Sequence, residues 1–197
     1  NYCQGVIEKR STLPILSNIL LDVKNSSLTI TATDLDLIFI HRLSDIEVLE
    51  EGKTTTTSSI MYDIIRKFSS GKKINLTLTE VSKLHLESDK SIFNLNCISA
   101  SEFPLTDENF DQNEFLIKSK HLLKLLNKCK FSISNDETRH YLSGIYLHQT
   151  EYEDKNYLTA VATDSHRMSI SKIRLEKKID FEPVILPKKT IFQLCVL

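Results

Sequence analysis

Glycine and proline are scarce, with four of each among 197 residues. That excludes collagen-like and Pro/Gly-rich low-complexity chains. Cysteine is equally sparse: Cys3, Cys97, Cys129 and Cys195 stand far apart and no CxxC pair occurs. This spacing offers no zinc or dithiol motif and points to buried free thiols in a reducing cytosol, hence a cytoplasmic protein. Neither sign of charge is in surplus, since 25 Lys and Arg face 26 Asp and Glu. The whole molecule is therefore not a basic nucleic-acid binder, and any phosphate-facing surface must arise from uneven charge placement. No apolar run approaches the ~18 residues that span a bilayer, and no signal peptide is visible. What is present, 41% hydrophobic and 26% charged residues, is a globular profile sized for one large or two ordinary domains.

The chain repeats itself. "LTITATD" at Leu28–Asp34 returns as "LTAVATD" at Leu158–Asp164, with five of seven positions identical and an offset of 130. "LSNILL" at Leu16–Leu21 returns as "LSGIYL" at Leu142–Leu147 with an offset of 126, which also sets Cys3 on Cys129. The four-residue difference falls in the polar hairpin between the two words, where insertions are tolerated. At the larger offset the helical segment Thr57–Ile64 lands on Pro187–Leu194. Three collinear matches with one insertion indicate a duplicated unit.

Periodicity gives the unit an α+β pattern. Strands are expected at Ile15–Val23, with Pro14 at the start where a missing N–H is harmless, and at Leu28–Thr33 and Leu37–Leu43. A helix capped by Ser58 or Ser59 should run to about Phe68, with Ile60, Met61, Ile64, Ile65 and Phe68 on one side. Three strands should follow at Ile74–Thr79, Lys83–Glu87 and Ser91–Cys97. The acidic stretch Ser99–Gln112 reads as a linker, after which a strand at Glu114–Ile117 and a helix from Ser119 to about Lys130 open the second unit. The expected division is residues 1–104, a linker at 105–113, and 114–197. By the repeat offsets, the counterpart of the Ser119 helix lies mostly before Asn1, and the second unit stops inside a helix, so the chain reads as truncated at both ends.

The helix "SKHLLKLLNKCK" carries Lys120, Lys124 and Lys128 on one stripe, opposite Leu122, Leu125, Leu126 and Cys129, and holds no acid. A solvated face is the plain interpretation of such a stripe. The functional one is a phosphate-facing surface, because lysines neutralise phosphates without reading bases. The Ser58–Phe68 helix and its exit are more weakly basic, with Arg66, Lys67, Lys72 and Lys73 diluted by Asp63. Acids gather instead in linkers and hairpins.

Five segments carry a family resemblance: "RSTLPILSNILL" (Arg10–Leu21), "TATDLDL" (Thr31–Leu37), "SEFPLTDE" (Ser101–Glu108), "TRHYLSGIYL" (Thr138–Leu147) and "VATDSHRM" (Val161–Met168). Together, in this order, they resemble the bacterial DNA sliding clamp, the β subunit of DNA polymerase III holoenzyme. The resemblance implies antiparallel sheets with two helices per repeat, three repeats per subunit, and a homodimeric ring around duplex DNA, helices inward. This chain would hold most of the first repeat and about two thirds of the second. It implies no cofactor, no metal and no catalysis. Polymerase and clamp-loader peptides would dock in a groove bordered by Leu142, Thr163, Ser165, His166, Arg167 and Met168. Where Ser165 and Ser143 stand, the family usually has Gly and Asn; Ser165 should narrow the groove or change the backbone angle. Arg10 and Arg139 match positions near DNA, joining Arg66, Lys67, Lys120, Lys124 and Lys128 as expected DNA-facing residues.

Two other classes stay in view. A hydrolase could use Asp164, Ser165 and His166, but strand neighbours point to opposite faces and the first copy has Leu35 and Asp36 in those slots. A metal site from Asp34, Asp36, Asp164 and His166 is not specified by spacing. The other class is a repeat scaffold that binds no nucleic acid.

Overall fold

Both copies of the repeat build the same four-stranded sheet, strand for strand. The computed structural model describes residues 2–7, 13–80, 82–105, 115–136, 138–179 and 181–196. The chain divides into two units, Asn1–Asp107 and Glu108–Leu197. In the first, the strands are β1 (Asn18–Lys24), β2 (Ser27–Thr33), β3 (Ile38–Leu43) and β4 (Gly52–Thr57), in the order β3-β2-β1-β4. The second sets β8 (Gly144–Tyr152), β9 (Lys155–Thr163), β10 (Met168–Arg174) and β11 (Val184–Pro187) in the matching order β10-β9-β8-β11. All ladders are antiparallel, including the three-stranded sheet of β5 (Asn75–Glu80), β6 (Lys83–Ser88) and β7 (Ser91–Asn96).

Register makes the duplication residue-specific. Leu20 pairs with Thr31 and Thr55, and Thr31 with Ile40. Their repeat partners do the same: Tyr146 pairs with Val161 and Ile185, and Val161 with Ile170. The longer hairpin is not a longer loop. Both turns have two positive-φ residues, Asn25-Ser26 and Glu153-Asp154, and β8 and β9 each gain two residues over β1 and β2. Adding two per arm keeps every side chain on its original face, because a strand has a period of two.

The first core lies between its two sheets, where Ile19, Leu21, Leu28 and Ala32 meet Leu84, Leu86 and Leu95 with Met61 from α2 (Ser58–Ile65). Val6, of the short α1 (Cys3–Val6), joins it. In the second unit Leu125, Leu126 and Cys129 from α3 (Ser119–Cys129) pack on Ile145, Leu147, Leu158, Ala160 and Ala162, with Ile191 from α4 (Lys188–Leu194). All four cysteines are free thiols, and burial pushes those of Cys3 and Cys129 up.

Several local expectations need correction. Residues 14–17 form a 3-10 turn and the strand begins at Asn18; Pro14 fits the first helical position, where its absent N–H is not required. The strand β4 was not anticipated. Neither Ser58 nor Ser59 caps α2: the cap residue is Thr57, whose side chain makes no capping bond, and Ser58 Oγ accepts from Gln4 Nε2 at 2.8 Å. The helix ends at Ile65, and of the expected apolar side Ile60 and Ile65 are exposed while Met61 is buried. Residues 115–118 form no strand, having no ladder partner among the described residues, although Phe115 and Ile117 pack on the second core. Most of the expected linker, residues 106–113, lies outside the described residues.

Candidate functional site

The repeated "ATD" closes the same turn in both units. Thr33 Oγ1 accepts from Leu35 N at 3.0 Å, and Asp34 Oδ1 accepts from Asp36 N and Leu37 N at 3.1 and 2.7 Å. One repeat later, Thr163 Oγ1 accepts from Ser165 N at 3.2 Å, and Asp164 Oδ1 accepts from His166 N and Arg167 N at 3.1 and 3.0 Å. Short polar side chains that bond backbone two or three residues on are turn-formers. Both turns place a non-glycine residue at positive φ in the same slot: Leu35 at 81° and Ser165 at 79°. Ser165 therefore keeps the glycine-like angle instead of adopting another.

This wiring excludes the triad. Asp164 Oδ2 pairs with Arg167 Nε at 2.9 Å, and Asp164 bonds only the backbone of His166. Ser165 Oγ accepts from Arg139 Nη1 at 3.0 Å. No nucleophile–base–orienter chain exists here. Among the described residues, no three His, Cys, Asp or Glu gather as a metal site. The backbone amides of His166, then Arg167, hold the Asp164 carboxyl below the usual carboxylate range; Thr138 does most to hold Asp136 down. Such depressed carboxylates support the fold above their unfolded pKa of about 4 and lose that support as pH falls through the folded value.

The register brings the expected groove residues to one end of the second sheet. There β8 and β10 start, at Gly144 and Met168, and β9 and β11 finish, at Thr163 and Pro187. Leu142 precedes β8 in a 3-10 turn, half-buried, with its carbonyl accepting from Ser134 N. Thr163 is half-buried and its Oγ1 donates to the Arg167 carbonyl at 2.8 Å. His166, Arg167 and Met168 are exposed, Met168 at 63%. Phe131, not anticipated, stands 58% exposed with the Arg167 guanidinium 5.8 Å from its ring centre. Its only sequence signal was an aromatic just past the helix. Ser165→Gly should raise stability by about 1 kcal/mol by relieving the left-handed residue, whereas Ser165→Val should lower it. Denaturant titration reads both; a less stable Gly variant contradicts the strain.

The basic residues separate into two groups. Lys120, Lys124 and Lys128 are exposed on α3, opposite buried Leu125, Leu126 and Cys129, and none joins an ion pair found among the described residues. After α2 the expected surplus is largely neutralised: Arg66 pairs with Asp63 at 3.1 Å, Lys72 with Asp89 at 3.0 Å and Lys73 with Glu47 at 2.7 Å. Lys67 is exposed. Arg139, expected near DNA, is held by Asp136 at 2.8 Å and by Ser165, so it stands at the groove turn. Arg10 lies outside the described residues.

Comparison with known proteins gives the same frame. Residues 1–107 match the family model of the DNA polymerase III beta subunit N-terminal domain, and residues 116–197 that of its central domain. The beta sliding clamp of Caulobacter vibrioides is 35% identical over 193 residues, covering 96% of this chain and 51% of that protein. A solved Caulobacter crescentus pol III beta aligns with TM-score 0.93 at 33% identity over 99% of this chain and 52% of its own. The Bartonella birtlesii sliding clamp bound to griselimycin aligns with TM-score 0.91 at 34% identity, over 99% and 53%. The chain thus spans about half the length of the relatives it matches. Two consecutive domain matches, a shared α+β fold and a repeat that holds in the registers of both four-stranded sheets together establish that this chain belongs to the DNA polymerase III beta subunit family.

Proposed function

We propose that this chain supplies two repeats of a sliding clamp that encircles duplex DNA and tethers the replicative polymerase in the cytoplasm. It is a non-catalytic part of the replication machinery. The observation that carries this reading is the acid-free face of α3, whose three lysines have no carboxylate partner among the described residues. Such a face attracts phosphate by charge alone and reads no base, so contact is weak and sequence-independent. A ring held by topology and by contacts of this kind can slide. Closure would require a full-length homodimer. The exposed end of the second sheet, with Leu142, Thr163, Ser165, His166, Arg167 and Met168, is the proposed seat for polymerase and clamp-loader peptides. An apolar rim beside convergent polar groups suits short peptide motifs.

The test is duplex affinity on unrelated sequences across a salt series. Equal affinities that fall together as salt rises are expected. Absence of duplex binding would count for the repeat-scaffold alternative, and preference for one sequence, or binding indifferent to salt, would contradict phosphate-only contact.

A further inference from the structure

Each unit brings the chain that enters its first strand beside the turn that follows its second. In the first unit Leu13 and Leu35 make that meeting, lining one apolar cleft with Pro14 and Ile15. The repeat offsets of 126 and 130 carry these two positions to Arg139 and Ser165. There the meeting is polar, with Arg139 Nη1 donating to Ser165 Oγ at 3.0 Å. Both members differ together: two leucines in one copy, a guanidinium and a hydroxyl in the other. Each end of the polar pair is anchored. Arg139 Nε donates to Asp136 Oδ2 at 2.8 Å, while Asp136 Oδ1 accepts from the amide and hydroxyl of Thr138 at 3.0 and 2.6 Å. Ser165 is set at φ 79°, with its amide donating to Thr163 Oγ1 at 3.2 Å. Arg167 is engaged elsewhere, its Nε on Asp164 and its guanidinium against Phe131. A guanidinium carries five N–H groups. Arg139 uses Nε and one on Nη1, and its others have no protein acceptor among the described residues.

We infer that Ser165 is a positioning residue for the groove: it holds Arg139 at the turn, so that the free edge of the guanidinium selects peptides carrying a carboxylate beside their apolar side chains. A planar guanidinium meets a carboxylate with parallel N–H donors, and fixing it beforehand lowers the ordering cost of binding. Leu142 and Met168 supply the apolar contact at the same sheet end. The first unit has no side-chain donor at Leu13 or Leu35, so its copy of the turn makes no such distinction through these two positions. The inference rests on the peptide-groove reading proposed above and adds to it the residue that sets the groove's selectivity.

The probes are the capped peptides LFEFL and LFQFL, which differ only in the central charge, titrated by calorimetry into the complete gene product at fixed salt. The acidic peptide is expected to bind roughly fivefold tighter, the upper end for an exposed charge pair. That preference should vanish in Ser165→Gly, which relieves the left-handed residue and so keeps the fold, and in Arg139→Gln. Ser165→Asn tolerates the same backbone angle and supplies a carbonyl acceptor, so it should keep the preference. Equal affinity of the wild type for both peptides overturns the carboxylate selection and leaves the groove standing. An undiminished preference in Ser165→Gly overturns the role of Ser165. Binding of neither peptide overturns the inference together with the groove reading.

Discussion

Changing Lys120, Lys124 and Lys128 together to Glu is expected to cut duplex binding sharply and to flatten its salt dependence. Three lost phosphate contacts lower the slope of log affinity against log salt by about 2.7, at ~0.9 per contact. Between 50 and 200 mM salt the wild type should then lose about 40-fold more affinity than the variant. Unfolding is a poor explanation for such a loss. The three side chains are exposed, away from the buried leucines that hold α3 on its sheet. Glu and Lys have similar helix propensity, and Glu at Lys120 favours the helix start while Glu at Lys128 opposes its end. Equal thermal stability with lost binding is the expected pair of results. Equal binding would return the stripe to an ordinary solvated face.

Gly144→Asn should destabilise the second unit by about 2–5 kcal/mol, combining overpacking with a stranded amide. A Cβ at Gly144 would be driven into the Leu186 carbonyl and Ile185 Cγ2 of β11. The first unit has Asn18 at this position and holds it comfortably. Asn18 Nδ2 donates to Thr55 Oγ1 at 3.0 Å and Asn18 Oδ1 accepts from Thr57 Oγ1 at 3.2 Å. In the second unit those threonines are replaced by Ile185 and Pro187, so an amide finds neither space nor partner. Residue type at one position is thus set by the neighbouring strand. Chemical unfolding should show a lower midpoint; a midpoint within experimental error of the wild type would contradict the close approach.

Much of this architecture was legible from spacing. The two offsets located the repeat, and the registers of the two four-stranded sheets reproduce them. The lysine stripe and the leucine face of α3 were set by helical period alone. What escaped has physical causes. The strand β4 reads GKTTTT, with no apolar alternation, because Thr55 and Thr56 are buried through hydrogen bonds to Ile98 and Asn96 carbonyls. The hairpin insertion looked like a loop because polar residues also line the exposed ends of β8 and β9. The ion pairs of Lys72 and Lys73 join residues 17 and 26 positions apart, beyond what local pattern can show, whereas Arg66 pairs with Asp63 within one helical turn. Arg139 was assigned by resemblance, and only folding brings it to Ser165, 26 positions away. The groove residues were named by resemblance too, whereas their meeting at one sheet end follows from strand order.

The most direct measurement of the central claim is retention on DNA by the complete gene product. The protein is loaded onto a closed circular duplex, washed at high salt, and the circle is then cut once. Enclosure predicts persistence on the circle and release on linearisation, since a ring slides off a free end. Equal retention on circular and linear DNA, or no retention on the circle, would contradict it.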